Sequence, residues 1–225
     1  MNIAFLSTID GTAWGGSEEL WSVAALLARR QGHDVTASVH HWQQPRPKLD
    51  PLHAAGVRII EHPSLVGHAN LRKQRFFIRH PNVALRWTPR LSVFGAMLRP
   101  RPDVVCISQG DTYGITQHFE FDWLLKYLQR EKIPVVVICH LSQEDRFLPD
   151  GYVEKARQAF ARVASLAFVS ERQKKVVECQ IAQALPQALV LRNPVNLADS
   201  SAVPGRGHDV ATGDGGTGGG GTQGA

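Results

Sequence analysis

The sequence predicts an α/β fold: a Rossmann-like parallel sheet flanked by helices, with a disordered Gly-rich C-terminal tail. Three observations predict it. Short apolar, β-branched runs alternate with segments of helical period from residue 2 to about residue 191. Ile133-Pro-Val-Val-Val-Ile-Cys139 is an almost unbroken β-branched run, as a central parallel strand buried on both faces requires. The first strand passes through a glycine pair directly into a helix, which is how a βαβ unit begins. The folded domain is expected over 1–197 and the tail over 198–225.

The first strand is Asn2 to Ser7. After a loop, Trp14-Gly-Gly-Ser-Glu-Glu-Leu20 opens a helix, with Ser17 in the N-cap role and Glu18 and Glu19 suiting the positive end of the dipole. Leu20, Val23, Ala24 and Leu27 recur at helical spacing and predict the buried face. Arg29 and Arg30 sit in the last turn, and Gly32 ends the helix. Asp34 to His40 is a second strand, Pro51 to Ala55 a short helical turn, and Gly56 to His62 a third strand. A block of short helices broken at Pro81 and Pro89 follows. Pro102 to Ser108 is a fourth strand feeding a turn over Gln109 to Gly114, and Phe121 to Arg130 is an amphipathic helix. Beyond the Ile133–Cys139 strand come a helix over Tyr152 to Val163, a strand over Ser165 to Val169, a helix capped by Ser170, and a last strand over Ala188 to Leu191.

The 225 residues are 43% hydrophobic and 20% charged, enough apolar material for a packed core. No apolar run approaches the roughly 20 residues that span a bilayer, and no leader pattern opens the chain, so a cytoplasmic location is expected. Three dispersed cysteines, Cys106, Cys139 and Cys179, suit reduced thiols and offer no metal spacing; no metal site is expected. The net charge of +5 is uneven. Arg72, Lys73, Arg75, Arg79, Arg86, Arg90, Arg99 and Arg101 fall in a stretch without acidic residues. Interleaved aromatics there, such as Phe76, Phe77 and Trp87, fit either helices covering a sheet face or an amphipathic surface touching the inner face of a membrane. No nucleic-acid motif accompanies the charge, and none is expected as partner. Residues 205–225 hold ten of the 20 glycines and almost no apolar side chain, so they cannot bury a core.

In open α/β sheets, ligands bind beyond the carboxyl ends of the strands. Three loops converge on that edge: Asp10 to Glu18, Ser108 to Tyr113 and His140 to Asp145. Gly15 and Gly16 let a ligand approach their backbone, and the following helix N-terminus favours an anion such as phosphate. His140, directly after the most buried strand, is placed to donate a hydrogen bond to a hydroxyl or shuttle a proton. A dinucleotide fingerprint, a Walker lysine and a nucleophile elbow are all missing.

The segments Ile3-Ala-Phe-Leu-Ser7, Gly15-Gly-Ser-Glu18, Gly32-His-Asp-Val35, His140 and Leu191-Arg-Asn-Pro-Val-Asn196, taken in order, resemble the N-terminal half of GT-B glycosyltransferases of family 4. The resemblance covers about residues 1–197. It implies a first, acceptor-side domain of a two-domain enzyme that moves a sugar from a nucleoside-diphosphate donor to a glycan, lipid or small-molecule acceptor, with no cofactor beyond that substrate. It implies that Gly15 and Gly16 approach the donor diphosphate, that His140 is the catalytic-site histidine facing the sugar, and that Ser17 and Glu18 line the cleft rim. Asp111 and Glu144 are acceptor-side candidates by position. The family's donor domain carries E-x7-E, and no two glutamates here stand eight apart. The expectation is therefore a chain truncated before its donor domain and inactive alone; the alternative is a non-catalytic module that binds acceptor, glycan or membrane, complementing a separate donor domain.

Overall fold

The computed structural model describes residues 1–9, 11–62, 94–117 and 119–193. Seven strands form one sheet: β1 (Asn2–Ser7), β2 (Asp34–His40), β3 (Arg58–His62), β4 (Val104–Asp111), β5 (Val135–Leu141), β6 (Ser165–Phe168) and β7 (Leu189–Val190). Every pairing is parallel, in the order β3-β2-β1-β4-β5-β6-β7. The expected Rossmann-like α/β architecture is thus the one observed. The order reverses at β1, so β1 and β4 flank the point where successive connections depart in opposite directions. In such sheets a crevice opens there.

The helices are α1 (Gly16–Arg30), α2 (Asp50–Ala54), α3 (Gly114–Gln117), α4 (Phe119–Arg130), α5 (Asp150–Ala161) and α6 (Glu171–Gln180), with a 3-10 turn over Pro47–Leu49. Alternation along the strands sends neighbouring side chains to opposite faces. Ala4 and Leu6 of β1, with Val105 and Ile107 of β4, join a core completed by Phe121, Leu124 and Leu128 of α4 and Phe160 of α5. Phe5 of β1 joins Trp21, Ala25 and Ala28 of α1 on the other face, with Leu52 of α2. Each fully buried Leu, Ile or Phe contributes about 1.5–3 kcal/mol.

Three local expectations are corrected. The buried face of α1 is Ser17, Glu18, Trp21, Ser22, Ala25 and Ala28, whereas Val23 and Leu27 are exposed. Small Ala25 and Ala28 let the helix lie close on the sheet, and Trp21 supplies the bulk, so packing outranks the Leu/Val periodicity. Strand β4 runs on through Gln109 to Asp111, pairing with Cys139 and Leu141, where a turn was expected. The chain turns only afterwards, into the short helix α3. His140 is the penultimate residue of β5 and does not follow it. Ser170 does cap α6, accepting from Gln173 N at 3.2 Å, and Gly32 adopts φ +81°, the left-handed conformation that closes a helix.

Most of the basic block and the Gly-rich tail lie outside the described residues, as do Asp10 and Pro194 to Asn196. Among the described residues, no helix is long and apolar enough to cross a membrane.

Candidate functional site

Helix α1 begins two residues earlier than the sequence indicates. Gly15, extended at φ −148°, holds the N-cap position, and no side chain caps the helix. Ser17 therefore lies inside the first turn and is buried. A helix start without a side-chain cap leaves backbone N–H groups for a ligand. A Cβ at Gly16 would meet nothing nearer than Asn193 Nδ2 at 3.8 Å, and one at Gly15 would press Ile9 Cδ1 at 3.1 Å. Asn193 follows β7, so the chain just beyond the last strand comes up beside the glycine pair.

Glu18 is not at a rim. It is 3% exposed, and its carboxylate accepts from Ser7 Oγ at 2.5 Å and from Trp21 Nε1. Burial pushes its pKa up to about 7, against the opposing pull of those two hydrogen bonds and of Arg46. Its role is to join the end of β1 to the first turn of α1. Neighbouring Glu19 accepts from Trp14 Nε1 at 2.7 Å and pairs with Lys48 at 3.1 Å. The residue just before the glycine pair is thereby held against the helix that follows it.

His140 reaches the same edge from β5. The β4–β5 register sets Gln109 against Cys139 and Asp111 against Leu141, so Gly110 lies opposite His140. Its Nε2 lies 3.1 Å from Ser108 Oγ, and Ser108 Oγ donates to Ser17 O at 3.0 Å. Burial lowers the imidazole pKa to about 4, so the ring is neutral at physiological pH. Its Nδ1 is buried without a hydrogen-bond partner. Gln173 Nε2 donates to the His140 carbonyl at 2.6 Å and fixes the strand end.

Asp111 and Glu144 are both engaged in ion pairs. Asp111 pairs with Arg146 at 2.6 Å and Glu144 with Arg172 at 2.5 Å. Arg146 also lies over the Tyr113 ring, 5.3 Å from its centroid. Glu144 is exposed on the loop between β5 and α5.

Two residues escaped sequence reasoning. Ser108 was read as the end of a strand, and only the 3.1 Å approach of its Oγ to His140 Nε2 reveals the pair. Gln109 is fully buried; its Nε2 donates to Thr112 O at 3.0 Å and its Oε1 accepts from Ile115 N at 2.7 Å. A glutamine inside an apolar strand was the available signal for it. Cys139 is buried, with its thiol pushed up to about 12 by burial. Among the described residues, no cluster of three or more His, Cys, Asp or Glu could hold a metal.

No family model matches the chain, and no curated protein matches it. Solved structures do. HepE of Anabaena, in complex with UDP and glucose, aligns at a TM-score of 0.52 and 10% identity, over 86% of this chain and 44% of that one. A UGT transferase from Siraitia grosvenorii in complex with UDP aligns at 0.44 and 14%, over 89% of this chain and 53% of that one. A putative oxidoreductase from Escherichia coli aligns at 0.40 and 13%, over 91% of this chain and 100% of that one. Of the three, HepE alone exceeds 0.5, and at its identity the likeness concerns fold. This chain shares its α/β fold with HepE over 86% of its own length. It spans less than half of the HepE length.

Proposed function

We propose that this chain is the N-terminal, acceptor-side domain of a family-4-like glycosyltransferase. The observation that carries the reading is the meeting of three features at one sheet edge: the uncapped glycine pair at the start of α1, Asn193 beside Gly16, and the neutral His140 on Ser108. Glycosyl transfer breaks the bond from the sugar to the nucleoside diphosphate and forms one to an acceptor hydroxyl. Negative charge develops on the leaving diphosphate. Backbone N–H groups at Gly15 and Gly16 stabilise it without reorganising. His140 faces the transferred sugar. A nucleotide-sugar such as the UDP-sugar class is the substrate, the acceptor is a glycan, lipid or small alcohol, and the scheme uses no metal. The arginines from Arg72 to Arg101 suit a peripheral position on an anionic inner membrane face.

Most donor contacts in this scheme belong to the other domain, so the 225-residue chain alone binds UDP weakly and does not turn over. The test is to incubate the purified chain with radiolabelled UDP-glucose and a panel of glycan, lipid and alcohol acceptors. No labelled product is expected. Robust transfer would overturn the half-enzyme reading.

A second reading, a non-catalytic binding module, is favoured by one observation. Leu141 at the end of β5, Phe147 in the following loop and Tyr152 in α5 are large apolar side chains left exposed, Phe147 to 86%. Binding of glycans or anionic vesicles, with no effect of UDP on it, would favour this module.

A further inference from the structure

We infer that Ser108 is a positioning residue that locks His140 in its Nε2–H tautomer and leaves Nδ1 as the ring's free acceptor. The hydrogen-bond inventory at Ser108 leads there. A serine hydroxyl has one proton and can accept as well. The Ser17 carbonyl, 3.0 Å from Ser108 Oγ, can only accept, so the hydroxyl proton goes to it. Ser108 Oγ must then accept from His140 Nε2, 3.1 Å away, and that nitrogen must carry the ring proton. The reverse arrangement would point two bare oxygens at each other across 3.0 Å. A chain of two donations therefore runs from the imidazole through Ser108 to the first turn of α1.

The consequence is chemical. A neutral ring has one donor and one acceptor nitrogen. With Nε2–H committed to Ser108, the buried, unpartnered Nδ1 is a lone pair. Any group brought within hydrogen-bond reach of that buried nitrogen must donate, as a sugar hydroxyl can and a phosphate oxygen cannot. This reverses the sequence-based expectation that His140 donates. It also divides the edge by charge: donors at the glycine pair for the anion, an acceptor at His140 for a hydroxyl. Burying an unpaired acceptor costs stability, and a donating ligand relieves that cost.

The consequence for ligand choice rests on the glycosyltransferase reading, but the tautomer itself does not. Nitrogen-15 imidazole spectra of the full 225-residue chain at pH 7 test it without substrate, with His140→Gln identifying the His140 signals among the ten histidines. The expected result is a protonated-type Nε2 and an unprotonated-type Nδ1. Ser108→Thr should preserve that pattern, and Ser108→Ala should move both resonances toward the average of the two tautomers. A wild-type Nδ1–H signal overturns the inference. So does an Ala variant whose His140 signals match the wild type. If Ser108→Ala does not fold, the wild-type and Ser108→Thr spectra decide. A failed glycosyl-transfer assay beside an Nε2–H spectrum would count against the proposed function alone.

Discussion

Glu18 and His140 titrate against each other across one range of pH. Burial raises the Glu18 pKa from 4.5 to about 7 and lowers that of His140 from 6.5 to about 4. For Glu18 the folded state holds its proton longer than the unfolded state, so its contribution is full below about pH 4.5 and is lost as pH rises through about 7. For His140 the unfolded state holds the proton longer, so its contribution is present above about 6.5 and lost as pH falls through about 4. Each swing is on the order of 3 kcal/mol, and in the wild type they offset each other between about pH 4.5 and 6.5. Urea unfolding from pH 4.5 to 8 separates them. Relative to wild type, Glu18→Gln should gain stability as pH rises, and His140→Gln should lose it. A constant offset for either variant would contradict the buried environment described for that residue.

The glycine pair makes a second prediction at this scale. Gly15→Ser supplies the missing N-cap, worth a few tenths of a kcal/mol, but its Cβ presses Ile9 Cδ1 at 3.1 Å, so stability should change little. The new side chain occupies the ligand's approach, and UDP binding should weaken about tenfold, the ~1.4 kcal/mol of roughly one hydrogen bond. Thermal denaturation and calorimetric titration of one variant read both effects. Tighter UDP binding would remove the glycine loop from the site.

Among the elements, the strands were legible because parallel burial writes itself as continuous β-branched runs: β1, β2 and β5 lie where the sequence puts them, within two residues. Helix α1 was legible in extent but not in orientation. Its leucines and valines define one stripe, yet Trp21, Ala25 and Ala28 face the sheet, and only three-dimensional packing decides between a bulky stripe and one that fits closely. The extension of β4 was hidden because Gln109, Gly110 and Asp111 are turn-like residues. Their strand conformation depends on pairing with β5 and on the Gln109 hydrogen bonds that anchor α3. Gln109→Leu should therefore cost about 2–3 kcal/mol by leaving Ile115 N and Thr112 O without their partner. Amide hydrogen exchange should show lost protection at Ile115 while the center of β1 stays protected. Unchanged exchange at Ile115 would remove the anchoring role.

At the scale of the whole chain, the parallel sheet was legible in the sequence and its strand order was not. Strand order reverses at β1, and the loops leaving β1, β4 and β5 share one edge. The Gly15–Gly16 loop and His140 could be named from sequence because they sit on that edge. Ser108 and the burial of Glu18 could not, because they depend on which face of a strand or helix meets its neighbour. The HepE likeness, at 10% identity, is one of fold. The central claim is that the α1 N-terminus and His140 form one nucleotide-sugar edge.

The most direct measurement is a backbone-amide NMR titration of the 225-residue chain with UDP and then UDP-glucose. The account predicts that UDP shifts the amides of Gly15, Gly16 and Ser17, and that UDP-glucose adds shifts at His140 and Leu141. Shifts confined to other elements, or none with either ligand at millimolar concentration, would contradict it.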